Sequence, residues 1–183
     1  MKSIMTKMVF AFLLLVFIGC TPTKESGEKM TKETKPKAGQ EAPRDTTPKV
    51  TGISGIFFFS EDPEKTKKWY AENLGLQTNQ WGASFEFRNA NRPDEINYLQ
   101  WSPFKKGSEY FSPSKKEFMI NYRVQNIEGL LKKLRHNDVT ILDSVATYDY
   151  GKFVHILDED GNKIELWEPV DSVFTKMGGK TNK

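Results

Sequence analysis

Cysteine occurs once in this chain, at Cys20, and histidine twice, at His136 and His155. Everything downstream of Cys20 therefore lacks a disulfide, a CxxC redox pair and a cysteine-based metal cluster. No glycine-rich phosphate loop, no Ser-His-Asp grouping and no HExxH pattern appears, so three common routes to catalysis have no footing. A dense lysine or arginine stripe is also missing. The formal net charge of +3 comes from the amino-terminal segment, leaving residues 51–183 near neutral, and nothing supports nucleic-acid binding.

Long apolar runs are scarce, and the exception is at the start. In MKSIMTKMVFAFLLLVFIGC, Lys2 and Lys7 precede the apolar run Met8–Ile18. That run is too short for a permanent bilayer span and reads as a secretory signal, residues 1–19. Phe17-Ile18-Gly19-Cys20 resembles the lipobox of bacterial lipoproteins, with Phe17 where leucine is usual. The resemblance implies cleavage before Cys20, lipidation of Cys20, and a chain anchored in the cell envelope outside the cytoplasm, in a membrane left open. An ordinary cleaved signal and an uncleaved anchor are the alternatives. Residues 21–50 are rich in Lys, Glu, Thr and Pro and carry too little apolar surface to offset the entropy of ordering them, so 20–50 reads as a lipidated tether.

Residues 51–183 have the length of one domain. In GISGIFFFSEDPEKTKKWYAENLGL a strand is followed by Asp62 as N-cap, Pro63 at the first helical position and Gly75 as stop. Trp69, Tyr70 and Leu74 are expected to form that helix's packing face. ASFEFRN (83–89) and INYLQWSPF (96–104) read as strands, the second closed by Pro103. EFMINYRV (117–124) opens a second half. Asn126 caps a helix with Ile127, Leu130, Leu131 and Leu134 on its apolar face; VTIL (139–142) starts a strand, and GKFVHIL with NKIELWEP forms a closing hairpin. His136, at the end of the second helix, fits a helix C-terminus and is assigned no chemistry.

Each half thus reads βαβββ, and the halves match: Tyr98-Leu99-Gln100-Trp101-Ser102-Pro103-Phe104 superposes on Ile164-Glu165-Leu166-Trp167-Glu168-Pro169-Val170. On this alignment Trp101 and Trp167 share one structural position. A duplication of this size implies two curved half-sheets around a shared concavity, the first place to look for a ligand. The expected class is α+β: modules 51–104 and 117–170, a connector 105–116 and a tail 171–183, forming a cupped mixed sheet. In the connector, Tyr110, Phe111 and Pro113 either pack over the sheet or gate the pocket; Tyr148 and Tyr150 lie where a loop supplies hydroxyl groups at the rim.

GIFFFSEDPEKTKKWYAENLGL and GKFVHILDEDGNKIELWEP together resemble the two signatures of the vicinal oxygen chelate superfamily, which includes glyoxalase, bleomycin-resistance proteins and extradiol dioxygenases. The resemblance implies paired βαβββ modules, a cupped site between them and often a homodimer. In the metal-dependent members a divalent ion held by His, Glu or Gln from up to four strand positions acts as a Lewis acid. Carried over singly, those positions fall on Gly55, Leu99, Met119 and Glu165, and only Glu165 is a plausible ligand. A one-residue slip brings Gln100 to the second position. If the hairpin pairs 157 with 163, His155 lies opposite Glu165 on one face, within reach of a shared ion or a hydrogen bond. His155 as a local packing and hydrogen-bonding residue is the other reading.

Three functions remain open at this stage. One is a metal-dependent glyoxalase-type lyase or isomerase, or a dioxygenase-like enzyme, using Glu165; blank ligand positions and a location away from glutathione adducts count against it. A second is a metal-free enzyme with Glu165 as general base, for which a raised pKa would suit. The third, which we favour, is an envelope-anchored module that binds a small molecule without the full family metal site. Gly55, Leu99, Trp101, Met119, Tyr150, His155 and Trp167 then line the cup.

Overall fold

The computed structural model describes residues 45–183; the signal, Cys20 and residues 21–44 of the tether lie outside the described residues. Strand β1 (Lys49–Ser60) leads into helix α1 (Pro63–Leu74), then β2 (Thr78–Asn79), β3 (Gly82–Arg88) and β4 (Ile96–Lys105). A connector with a 3-10 turn at Glu109–Phe111 brings the chain to β5 (Phe118–Gln125). Helix α2 (Ile127–His136), β6 (Ala146–Tyr148), β7 (Gly151–Leu157) and β8 (Lys163–Pro169) repeat the order, and α3 (Asp171–Met177) follows. This is an α+β fold of two βαβββ modules.

Local chemistry accounts for the helix boundaries. The Asp62 carboxylate accepts from the backbone N–H groups of Glu64 and Lys65, Pro63 needs no donor partner, and Gly75 closes α1 at φ 70°. The Asn126 side chain accepts from Gly129 N at 3.0 Å, and Glu168 from β8 accepts from Asn126 N at 2.6 Å. Helix α2 buries Ile127, Leu130 and Leu131 against Val124, Val154, Ile156 and Leu166. Helix α1 packs differently from expectation: Trp69 and Leu74 are 52% and 63% exposed. Of the three expected residues only Tyr70 turns inward, against Trp101, and it is joined by Lys67, whose buried stem carries its ammonium to the carbonyls of Asn79 and Gln80.

Two strand boundaries also differ. Strand β4 runs through Pro103 to Lys105, because β3 pairs only as far as Trp101 and β4 is beyond that point an edge, where a missing N–H is tolerated. VTIL makes only an isolated bridge, Ile141 to Ile156. The Asp143 carboxylate takes the His155 backbone N–H at 2.8 Å, which interrupts the ladder, and the regular strand begins later, at Ala146.

All eight strands form one sheet, ordered β2-β3-β4-β1-β5-β8-β7-β6. The antiparallel β1–β5 pair joins the modules, while β4 and β8 each run parallel to their module's first strand. Strands β4 and β8 are three places apart, about 14 Å in a flat sheet. Yet the Phe174 ring lies 5.6 Å from Tyr98 on β4 and 5.4 Å from Trp167 on β8. The sheet is therefore curled, and α3 lies across its concave side.

Burial sets the energetic weight of the two helices. Leu131→Ala removes a side chain that is 2% exposed and is expected to cost about 2–5 kcal/mol, whereas Leu74→Ala should stay within about 0.5 kcal/mol. Chemical denaturation of the two variants checks this contrast.

Candidate functional site on the concave face

Strand alternation and register arrange the concave face in three rows. The middle row crosses the sheet through Ser84, Gln100, Gly55, Asn121, Glu165 and His155, each opposite the next in register. On one side lie Phe104, Phe57, Met119 and Lys163, covered by Tyr110 and Phe111 of the connector. On the other lie Tyr98, Arg123, Trp167 and Phe153, covered by α3.

Glu165 is the centre of the middle row and is 4% exposed. Its Oε1 accepts from the Asn121 amide, and its Oε2 accepts from the Tyr110 hydroxyl and meets His155 Nε2 at 3.0 Å. Since an ionised carboxylate only accepts, Asn121 must turn its NH2 toward Glu165 and its Oδ1 toward the Ser54 hydroxyl. His155 Nδ1 lies 2.6 Å from Asp143 Oδ2. The result is a continuous chain, Asp143–His155–Glu165–Tyr110, tying the loop before β6 to β7, β8 and the connector. Lys163 secures the same connector residue, donating to the Tyr110 carbonyl at 2.7 Å and lying 5.1 Å from its ring centroid.

These contacts set the protonation states. Burial would raise the Glu165 pKa, but hydrogen bonds from His155, Tyr110 and Asn121 outweigh it and hold the carboxyl below the ordinary glutamate value. Burial would lower the His155 pKa, but Glu165 and Asp143 outweigh it and favour the imidazolium. Burial and the Glu165 charge both push the Tyr110 hydroxyl up. Burial lowers the Lys163 pKa, with Asp143 and Glu165 opposing it. Glu165 is thus an ionised acceptor met by three donors, opposite to the raised pKa that a general base would use.

The expected site residues divide by face. Gly55, Met119, His155, Glu165 and Trp167 all lie on the concave face, and the hairpin has the 157–163 and 155–165 pairing that brings His155 to Glu165. Tyr150 stands at its rim, 5.9 Å from Phe174. Leu99 and Trp101 do not join them: alternation places both on the convex side, where the Trp101 ring centroid lies 4.7 Å from that of Tyr70. Trp101 and Trp167 therefore occupy opposite faces, and the residue in row with Glu165 is Gln100. Met119 is fully buried in a cluster with Phe57 and Phe111, and the β5 residue in the polar row is Asn121. Asn121, Asp143 and Arg123 were not anticipated, and Tyr110, expected to pack over the sheet or gate the pocket, also bonds Glu165. The alternation around Met119 was the available signal for Asn121 and Arg123.

This donor set does not fit a protein-held divalent ion. Gln100 is turned to Ser84, Ser102 and the Trp81 carbonyl, Asn121 presents a donor, and both Glu165 oxygens are engaged. A Cβ at Gly55 would come within 2.7 Å of both Asn121 Cβ and the Phe57 ring, so no ligand side chain enters there without displacing the row. Among the described residues, no three His, Cys, Asp or Glu side chains gather as a metal cluster. An open cavity of about 630 Å³ lies elsewhere, beside the start of α2, where Lys152 is already paired with Glu128 at 2.5 Å.

No family model and no curated protein matches the chain. Among solved structures, it is similar to methylmalonyl-CoA epimerase from Mycobacterium tuberculosis, at 16% identity over 71% of this chain and 95% of that one, TM-score 0.46. It is similar to a variant of Streptomyces coelicolor methylmalonyl-CoA epimerase in complex with 2-nitronate-propionyl-CoA, at 14% identity over 67% and 99%, TM-score 0.49. A glyoxalase/bleomycin resistance protein/dioxygenase superfamily member from Vibrio splendidus 12B01 is similar at 15% identity over 67% and 99%, TM-score 0.41. At these identities the likeness is one of fold and extends to no activity.

The Glu165–His155 pair gives stability a defined pH dependence. Glu165 has a depressed pKa, so its contribution is present above the ordinary value of 4.5 and is lost as pH falls through the folded value. His155 has a raised pKa, so its contribution is present below 6.5 and is lost as pH rises through the folded value. Thermal melts are expected to peak between about pH 4.5 and 6.5, and His155→Asn should remove the decline on the alkaline side.

Proposed function

We propose that this chain is an envelope-tethered domain that binds a small molecule on its concave face without a resident metal. The observation that carries the reading is the polar row through Gln100, Asn121 and Glu165: its donors and acceptors satisfy one another, between aromatic walls drawn from both modules. A pre-organised polar strip within apolar walls orients a ligand, and aromatic walls suit flat or apolar bodies. Tyr110 is 38% exposed and stands over Glu165, so a ligand reaching the middle row displaces its hydroxyl or takes its place. Membrane attachment through Cys20 is part of the proposal, since Cys20 lies outside the described residues. Among the described residues, no helix is long and apolar enough to cross a membrane.

Elemental analysis after equilibration with Mg, Mn, Fe, Ni and Zn, on protein purified without a nickel column, tests the metal-free reading. No stoichiometric ion is expected. One tightly held ion per chain, lost in Glu165→Ala, would contradict it and favour a glyoxalase-type lyase or isomerase.

A further inference from the structure

Below the polar row, the concave face holds an arginine that the chain's own tail satisfies only in part. Arg123 on β5 is 6% exposed and lies 5.6 Å from the Trp167 ring centroid. Its Nη2 donates to Asp171 Oδ2 on α3. Both Arg123 Nη1 and Asp171 Oδ1 are buried without a hydrogen-bond partner. A buried guanidinium and carboxylate ordinarily engage as a two-pronged fork, so this pair leaves one prong of each unused.

The helix that brings Asp171 there is lightly packed: besides Arg123 its polar contacts are the Asn97 amide on Asp171 Oδ2 at 3.4 Å and the Tyr98 and Thr175 hydroxyls at 3.3 Å, while Asn182 beyond it is bonded to Ser84 and Glu86 on β3. Helix α3 is seven residues long, buries none of them fully, and starts at Val170 with no side-chain cap. Burial pushes the Asp171 carboxyl above its ordinary pKa although Arg123 opposes this, and the nearby Glu95 charge adds to the rise. Three residues on, Phe174 fills the space between Tyr98, Tyr150 and Trp167. Residues i and i+3 share a helix face, so α3 offers the concave face one carboxylate and one aromatic ring, joined by a short spacer.

We propose that Arg123 is the recognition residue for a small carboxylate with an aromatic or apolar body, and that α3, through Asp171 and Phe174, occupies this site in place of such a ligand. The proposal rests on the concave-face reading above and names its ligand class. Charge selects that class. When α3 lifts away, Arg123 loses its hydrogen-bonded anion and keeps only the Glu95 charge nearby, and a buried arginine without a bonded anion is unfavourable, so a neutral ligand of the same shape cannot replace the tail as well as an acid can. The tail and the ligand therefore compete.

Isothermal titration calorimetry on the full chain with 3-phenylpropionate, and with the neutral 3-phenylpropanol as control, tests this. Asp171→Asn is expected to bind the acid at least tenfold more tightly than the unmodified chain and tenfold more tightly than it binds the alcohol. Adding Arg123→Gln should abolish the preference for the acid. Should Asp171→Asn fail to fold, Phe174→Ala keeps the ion pair, opens the aromatic space, and is expected to tighten the acid at least threefold. Equal affinity for acid and alcohol would overturn the role of Arg123 while leaving small-molecule binding intact. Binding of neither, in folded Asp171→Asn or in Phe174→Ala, would overturn both.

Discussion

An ionised carboxylate that is almost wholly out of water must be met by donors, and at Glu165 those donors come from three separate parts of the chain. Asn121 reaches it from β5, His155 from β7 and Tyr110 from the connector between modules. Removing any one leaves the charge under-satisfied in a place where water cannot substitute, at a cost of a few kcal/mol. The arrangement therefore constrains more than a side chain. It fixes the connector over the sheet, sets the His155 ring against Asp143, and holds the parallel β5–β8 pair in register at the point where Asn121 faces Glu165.

With that point fixed, the concave face closes from two sides. The connector's Tyr110 touches Phe104 on β4 and His155 on β7, and Phe111 seals the space over Phe57 and Met119. From the other side, α3 spans β4 to β8 through Phe174. Two short segments outside the repeated modules thus supply what a curled sheet lacks, namely cover for its aromatic inner surface. They differ in strength. The connector is held by a buried, charged network, whereas α3 itself is held by a single-pronged ion pair, a ring and two long side-chain hydrogen bonds, and the residues after it are bonded to β3 through Asn182.

Much of the scaffold was legible from residue order because its causes are local. Asp62-Pro63 and Gly75 bound α1, Asn126 caps α2, and the Asp158–Asn162 turn fixes a hairpin in which His155 faces Glu165. The orientation of the first module's last strand was not. Matching Trp-x-Pro in the two halves equates Leu99 with Glu165, but a repeat in residue type does not specify face, and a slip of one residue turns every side chain over. The contacts that cover the concave face also escaped because they join distant residues: Tyr110 and Glu165 are 55 positions apart, Arg123 and Asp171 48. Nothing in the order of a tail reveals that it will fold back as its own domain's ligand.

Glu165 is a hub ionised at neutral pH and paired to a cationic His155, rather than an open ligand or a base. NMR titration of the Glu165 carboxyl carbon and the two His155 ring nitrogens measures those charges directly. The expected result is a Glu165 carboxyl that titrates below 4.5 and a His155 ring that titrates above 6.5. A Glu165 that gains its proton above 4.5, beside a neutral His155 at pH 6.5, would contradict it.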